Sequence, residues 1–131
     1  MNKGKLFLVS GASLAGLGVA FGAVGSHALK DFLTEKNSAE TFEIAVRYQL
    51  YHGLALIAVG ILCYVLKETN FLLAGILLFI GVTCFSGSLY VLSLSEAKWV
   101  VFVTPIGGIL MIGGWLSLVI LIIKSATVIM Q

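Results

Sequence analysis

The side chains with the most chemical potential are His27, Arg47 and His52, set in or beside long apolar stretches. A charged group at mid-bilayer costs roughly 2.5 to 3.5 kcal/mol on insertion scales, so such groups face a protein interior. Histidine also gains and loses a proton near neutral pH. Tyr48, Gln49, Tyr51, Ser86, Ser88, Tyr90 and Thr104 lie at matching depths. Pro105 precedes Ile106-Gly107-Gly108. A proline within a helix frees a carbonyl and bends the backbone, and broken helices beside polar groups form many transporter sites. His27, Arg47, Gln49, His52, Ser86, Ser88, Tyr90, Thr104 and Pro105 are therefore the expected polar site. It suits binding or permeation of a small molecule or ion. Histidines would supply protonatable hydrogen-bonding groups, hydroxyls would line the site, and the proline would shape or gate it.

Blander roles exist for each residue. Glu43 and Arg47 are spaced i, i+4, as in a surface ion pair. Arg47 can also snorkel to headgroups. Tyr48, Tyr51, Tyr90 and Trp99 fit an interfacial aromatic belt. His27 can close its helix, and His52 can be a structural hydrogen-bond partner. No Asp or Glu lies inside an apolar run, so a carboxylate proton relay is missing. Two histidines without adjacent carboxylates or thiolates make a poor zinc set. Neither a nucleotide loop, a haem motif nor a serine–base pair is visible. No metal, cofactor or catalytic residue is expected, and the reading leans away from an enzyme.

The elements that position these residues follow from composition. Of 131 residues, 60% are apolar and 11% charged, and the mean hydropathy is +1.09. An average soluble domain carries about 25% charged residues. Even a 150-residue soluble domain buries only about 70% of its chain surface, so a water-soluble monomer is excluded. Net charge +2 with scattered lysines excludes a nucleic-acid partner. The partner is a lipid bilayer. Four uncharged runs are long enough for helices that need roughly 20 residues to cross. The fold class is all-α integral membrane: a four-helix transmembrane bundle in one domain, 1–131. Its spans are about 6–29, 44–66, 71–95 and 99–123. Lys3 and Lys5 precede the first run and Ser26-His27-Ala28 loosely resembles a cleavage site. The run is too long and glycine-rich for a signal peptide, and it is expected to stay.

Lys67–Asn70 and Glu96–Lys98 read as tight hairpins, whereas Lys30–Glu43 is longer, partly amphipathic and carries six charges. A turn is expected at Thr34–Asn37, with Ser38 or Thr41 capping the second helix. Cys63 and Cys84 differ in depth by roughly 15 Å at helical rise and should not pair. With alternating helix directions, the polar residues fall on the long-loop side of the bilayer, and the other half is hydrocarbon. Four Lys/Arg lie on each side, so the positive-inside rule alone leaves orientation open. Lys3 and Lys5 favour cytoplasmic termini in a bacterial cytoplasmic membrane.

Gly11, Ala15, Gly18, Gly22 and Gly25 repeat at 4, 3, 4 and 3, and Gly107 and Gly114 lie a heptad apart. In lipid, small residues let helices approach closely. Such seams either close the bundle or join copies in a homo-oligomer. The alternative function is thus a non-transporting scaffold that organises partners or lipids through these seams.

Several segments resemble one small membrane family. Phe21-Gly22-Ala23-Val24-Gly25-Ser26-His27-Ala28-Leu29 resembles its "GAFGAHAL" segment, and residues 45–56, with Tyr48, Gln49 and His52, resemble "AvqYqlyHalaL". Phe85-Ser86-Gly87-Ser88-Leu89-Tyr90, Thr104-Pro105-Ile106-Gly107-Gly108 and Gly114-Trp115 complete the set. The chain resembles domain-of-unknown-function family 423, the UPF0382 membrane proteins, to which the eukaryotic transmembrane protein 256 is similar. The resemblance covers all four spans. It implies a four-helix membrane protein common in bacteria and no activity, substrate or cofactor. Ser26 stands where alanine is usual and Arg47 where glutamine is frequent, so Arg47 is the weaker choice for a shared role.

Overall fold

The computed structural model describes residues 1–131, except the side chains of residues 128 and 129. Asn2 opens helix α1 (Lys3–Ser26): its side-chain oxygen accepts the Lys5 N–H at 2.8 Å, satisfying one of the unbonded donors of a helix start. The helix stops at Ser26, where His27 leaves helical geometry. A short helix α2 (Lys30–Glu35) follows, in a segment expected to be loop. It forms because Leu33 can be buried against Phe42 and Val46. Lys36 and Asn37 make the turn, and Asn37 takes a φ of 54°, a conformation that asparagine tolerates better than most residues. Helix α3 (Ala39–Val65) then crosses, followed by α4 (Leu72–Leu94), a 3-10 turn (Lys98–Phe102) and α5 (Val103–Ile129). Four of these elements are long and apolar enough to span a membrane.

Two sequence expectations change here. Ser38 does sit at the start of α3, but its hydroxyl donates to Ser93 O at 2.8 Å instead of capping the helix. Pro105 is the third residue of α5 and does not break a helix. Its missing N–H falls among the first donors that a helix leaves unbonded in any case, so it causes no interruption.

Packing follows chain order: α1 lies on α3, α3 on α4 and α4 on α5. The first and last spans share no packed seam among the described residues. The inner spans are accordingly the more buried, with 44% of the α4 window buried against 17% for α1. Glycines set the two closest approaches of one span's backbone to another's. A methyl at Gly11 would stand 2.6 Å from Gly53 O, and one at Gly107 would stand 2.5 Å from Phe85 N and 2.7 Å from Gly81 O. Backbone meets backbone there, so no larger residue fits.

The expected seams lie inside one chain. Gly11, Gly18 and Gly25 face Gly53, Leu50 and Phe42 of α3, Gly22 meets Val46, and the Ala15 backbone abuts Gly53. Gly107 and Gly114 face α4. Gly4 extends the first seam, with Gly60 opposite it. The main apolar core holds Phe7, Leu56, Val59, Phe71, Leu78 and Leu118, in the half of the protein nearer the termini.

Candidate functional site

The polar residues inside the spans form a set of cross-helix links. His52 is buried on α3. Its Nδ1 lies 2.9 Å from Tyr48 O, and Trp115 Nε1 lies 3.1 Å from its Nε2. A carbonyl only accepts and an indole N–H only donates, so these partners assign the hydrogen to Nδ1 and the lone pair to Nε2. The neutral ring satisfies both partners, and a proton on Nε2 would oppose the indole N–H. Tyr48 stacks on the imidazole at 6.0 Å, and Trp115 meets it edge-on at 5.9 Å.

Gln49 is engaged at both ends. Its Nε2 donates to Leu14 O of α1 at 2.9 Å, and its Oε1 accepts the Tyr90 hydroxyl of α4 at 2.6 Å. Gly18 makes room for this approach: a methyl there would stand 2.9 Å from Leu50 and 3.7 Å from Gln49 Cγ. Phe21 and Phe42 hold the Tyr90 ring edge-on at 5.3 and 5.1 Å. Ser86 donates to Ala45 O at 2.8 Å, joining α4 to α3. Ser88 donates to Phe85 O, so in its 2.6 Å contact with Thr104 the threonine is the donor, which joins α5 to α4. Every packed pair of spans thus carries at least one polar link. Among the described residues, each buried side-chain nitrogen or oxygen has a partner.

Three expected members lie elsewhere. His27 is exposed at the end of α1, and its imidazole has no hydrogen bond among the described residues. Helix α1 ends too early to carry it inward. Arg47 is exposed and paired with Glu43 at 2.9 Å, the i, i+4 arrangement its spacing allows. Pro105 is exposed at the start of α5. Trp115 was not among the expected site residues. Its signal is present in the sequence: an indole N–H deep in a span, away from the interface that tryptophan prefers, requires an acceptor.

The open polar surfaces are at the two ends. On the long-loop side a cleft of about 480 Å³ lies between the end of α1, α2 and the start of α3, with Ser26, Lys30, Thr34 and Glu43 in its lining. Nearby, Lys36 bonds Ser95 O at 2.8 Å and Glu96 at 3.0 Å, tying α2 to the α4–α5 hairpin. The Lys36 ammonium, by hydrogen bond and charge, holds the Glu96 carboxyl below its ordinary range. At the terminal side a larger cavity of about 730 Å³ lies between the start of α1, the end of α3 and the start of α4.

Residues 21–108 match a family model described as "Protein of unknown function (DUF423)". The chain belongs to this family. A UPF0382 membrane protein of Staphylococcus haemolyticus is 46% identical over 116 residues, 88% of this chain and 93% of that protein. A Staphylococcus epidermidis relative is 44% identical over 93% of this chain and 98% of its own. A UPF0382 membrane protein of Bacillus subtilis is 36% identical over 92% of this chain and 98% of its own. No solved structure matches. The family match spans Gln49, His52, Ser86, Ser88, Tyr90 and Thr104 and ends before Trp115.

Proposed function

We propose that this chain is a non-conducting membrane protein that binds a small amphiphile at its long-loop surface, with both termini in the cytoplasm of a bacterial cell. The observation behind this reading is that the buried intramembrane polar groups bond one another or the backbone of neighbouring helices. Gln49, His52, Ser86, Ser88, Tyr90 and Thr104 act as links between spans and present no continuous polar path. Beyond them the bilayer half nearer the termini is closed by Leu56, Val59, Phe71 and Leu78, all fully buried. The glycine seams of the scaffold alternative are likewise occupied by neighbouring spans of the same chain. The long-loop cleft is what remains open on that side. Lys30 offers donors, Glu43 accepts, and Leu33, Phe42 and Val46 form an apolar floor. That lining suits a zwitterionic head on an apolar tail, its anion toward Lys30 and its cation toward Glu43.

The test uses the full chain in nanodiscs with a short-chain phosphocholine amphiphile below its micelle concentration. Saturable binding is expected, and Ala39→Trp, which fills the cleft from an exposed position, should abolish it. In proteoliposomes neither proton nor potassium flux should exceed that of empty vesicles. Flux that disappears in His52→Ala while the fold survives would overturn this reading in favour of permeation.

A further inference from the structure

The terminal cavity has a chemistry of its own. Lys3, Lys67, Asn2, Asn70, Tyr64 and Glu68 supply its polar lining. Asn2 Oδ1 accepts the Lys5 N–H at 2.8 Å and the Tyr64 hydroxyl at 3.0 Å. Asn70 Oδ1 accepts the Leu72 N–H at 3.2 Å and the Lys3 ammonium at 3.1 Å. Both amide oxygens are therefore fixed as acceptors of helix-start donors. The two amide NH₂ groups can only donate, and they have no partner among the described residues. The lining thus offers two lysine ammonium groups and two amide donors against Glu68 as its single acidic side chain. Such a set favours an anionic, acceptor-rich ligand.

A second feature lies deeper between two of the same helices. An apolar groove of about 280 Å³ runs between α1 and α4, lined by Leu6, Phe7, Ser10, Ile76, Phe79 and Ile80. At helical rise, Leu6 to Ser10 lie roughly 4.5 to 10 Å below Lys3. A donor-rich chamber at headgroup level, above an apolar groove at acyl depth, complements an amphiphile with an anionic head. The surrounding surface is cationic too: Lys3, Lys5, Lys67 and Lys124 share it with one carboxylate, whereas the long-loop side carries five.

We propose that this terminal cleft binds one phospholipid with an anionic phosphodiester head. The phosphate sits among Lys3, Lys67, Asn2 and Asn70, and one acyl chain follows the α1–α4 groove. Glu68 accepts from a headgroup hydroxyl, which selects a glycerol head over a choline head. This site is independent of the long-loop cleft.

The experiment is native mass spectrometry of the detergent-purified full chain with equimolar phosphatidylglycerol and phosphatidylcholine of equal chain length. One retained phosphatidylglycerol per chain is expected, at roughly tenfold preference. Lys3→Gln with Lys67→Gln should reduce the preference to within about twofold. Lys5→Gln with Lys124→Gln removes equal charge from the same surface outside this cavity and should preserve it. Ser10→Phe fills the groove with all charges intact and should also lower retention, which keeps the test decisive if the lysine variant misfolds. Ala39→Trp at the opposite surface removes any choline-headed lipid held by the long-loop cleft and should leave phosphatidylglycerol retention unchanged. Three results would each overturn the proposal: an unchanged preference in the Lys3/Lys67 variant, an equal loss in the Lys5/Lys124 control, or displacement of the lipid by millimolar inorganic phosphate.

Discussion

The buried polar side chains of the spans are explained by what they touch. Gln49 is the extreme case, since one amide bridges three helices through Leu14 O and Tyr90. Replacing it with leucine leaves the Tyr90 hydroxyl without its acceptor. Leaving a buried group unpaired costs about 1 to 3 kcal/mol, so Gln49→Leu should lose that much stability. Adding Tyr90→Phe should recover part of the loss, as read in a denaturing-detergent titration. The His52–Trp115 bond is open to a double-mutant cycle of His52→Ala and Trp115→Phe. Interhelical hydrogen bonds in membranes average about 0.6 kcal/mol with a maximum near 1.7, so a coupling in that range is expected. Strict additivity would show that the two rings merely pack. At the long-loop surface the Glu96 carboxyl is depressed by Lys36. Its contribution is present above the ordinary value of 4.5 and is lost as the pH falls through the lower folded value. Glu96→Gln should remove that acid-side slope: the variant should match the parent at low pH and fall below it at neutral pH, by only a small amount because the carboxylate is exposed.

At the scale of elements, the spans pack where backbones can touch. Gly4, Gly11, Gly18 and Gly25 recur every seven residues along α1, and all four face α3. Any side chain at Gly11 or Gly107 meets backbone that cannot rotate away. Gly11→Ala and Gly107→Ala should each destabilise by about 1 to 3 kcal/mol, the usual cost of overpacking. Gly16 is the internal control: a methyl there meets nothing within 4 Å. Gly16→Ala should stay within about 0.5 kcal/mol of the parent. Equal losses at Gly16 and Gly11 would mean that glycine acts through helix flexibility and not through close approach. The sequence revealed most of this seam through its 4, 3, 4, 3 spacing. It omitted Gly4 because the apolar run begins only at Leu6, whereas the helix starts at Lys3 on the Asn2 cap. The rotation of each span about its axis was harder to read. These helices are apolar on every side, so hydrophobic periodicity cannot separate a lipid-facing side from a buried one. Only glycines and rare polar groups mark the inner faces. For that reason depth grouped Gln49, Ser86, Ser88, Tyr90 and Thr104 toward the long-loop side, but it could not name Trp115 as the partner of His52 or place His27 outside the cluster.

For the molecule as a whole, the two ends differ more in their acids than in their bases. Each side carries four Lys or Arg, so a bare count leaves orientation undecided. On the long-loop side, however, Arg47 is paired with Glu43 and Lys36 with Glu96, and Asp31, Glu35 and Glu40 lie in the same segment. On the terminal side Lys3 bonds a neutral asparagine, and Glu68 is the sole carboxylate beside four lysines. Lys3 and Lys5, which have no carboxylate partner among the described residues, flank the first span, whose cations usually dominate orientation, so the terminal side should stay in the cytoplasm. The prediction is specific to two exposed positions in a background with Cys63 and Cys84 replaced by alanine. Glu35→Cys in the long-loop segment should react with a membrane-impermeant maleimide in intact cells. Glu68→Cys in the α3–α4 hairpin should react only after lysis. The reverse pattern would place the paired surface in the cytoplasm. It would then remove the anionic inner leaflet as the lipid source for the terminal cleft, because that cleft would open toward the other leaflet.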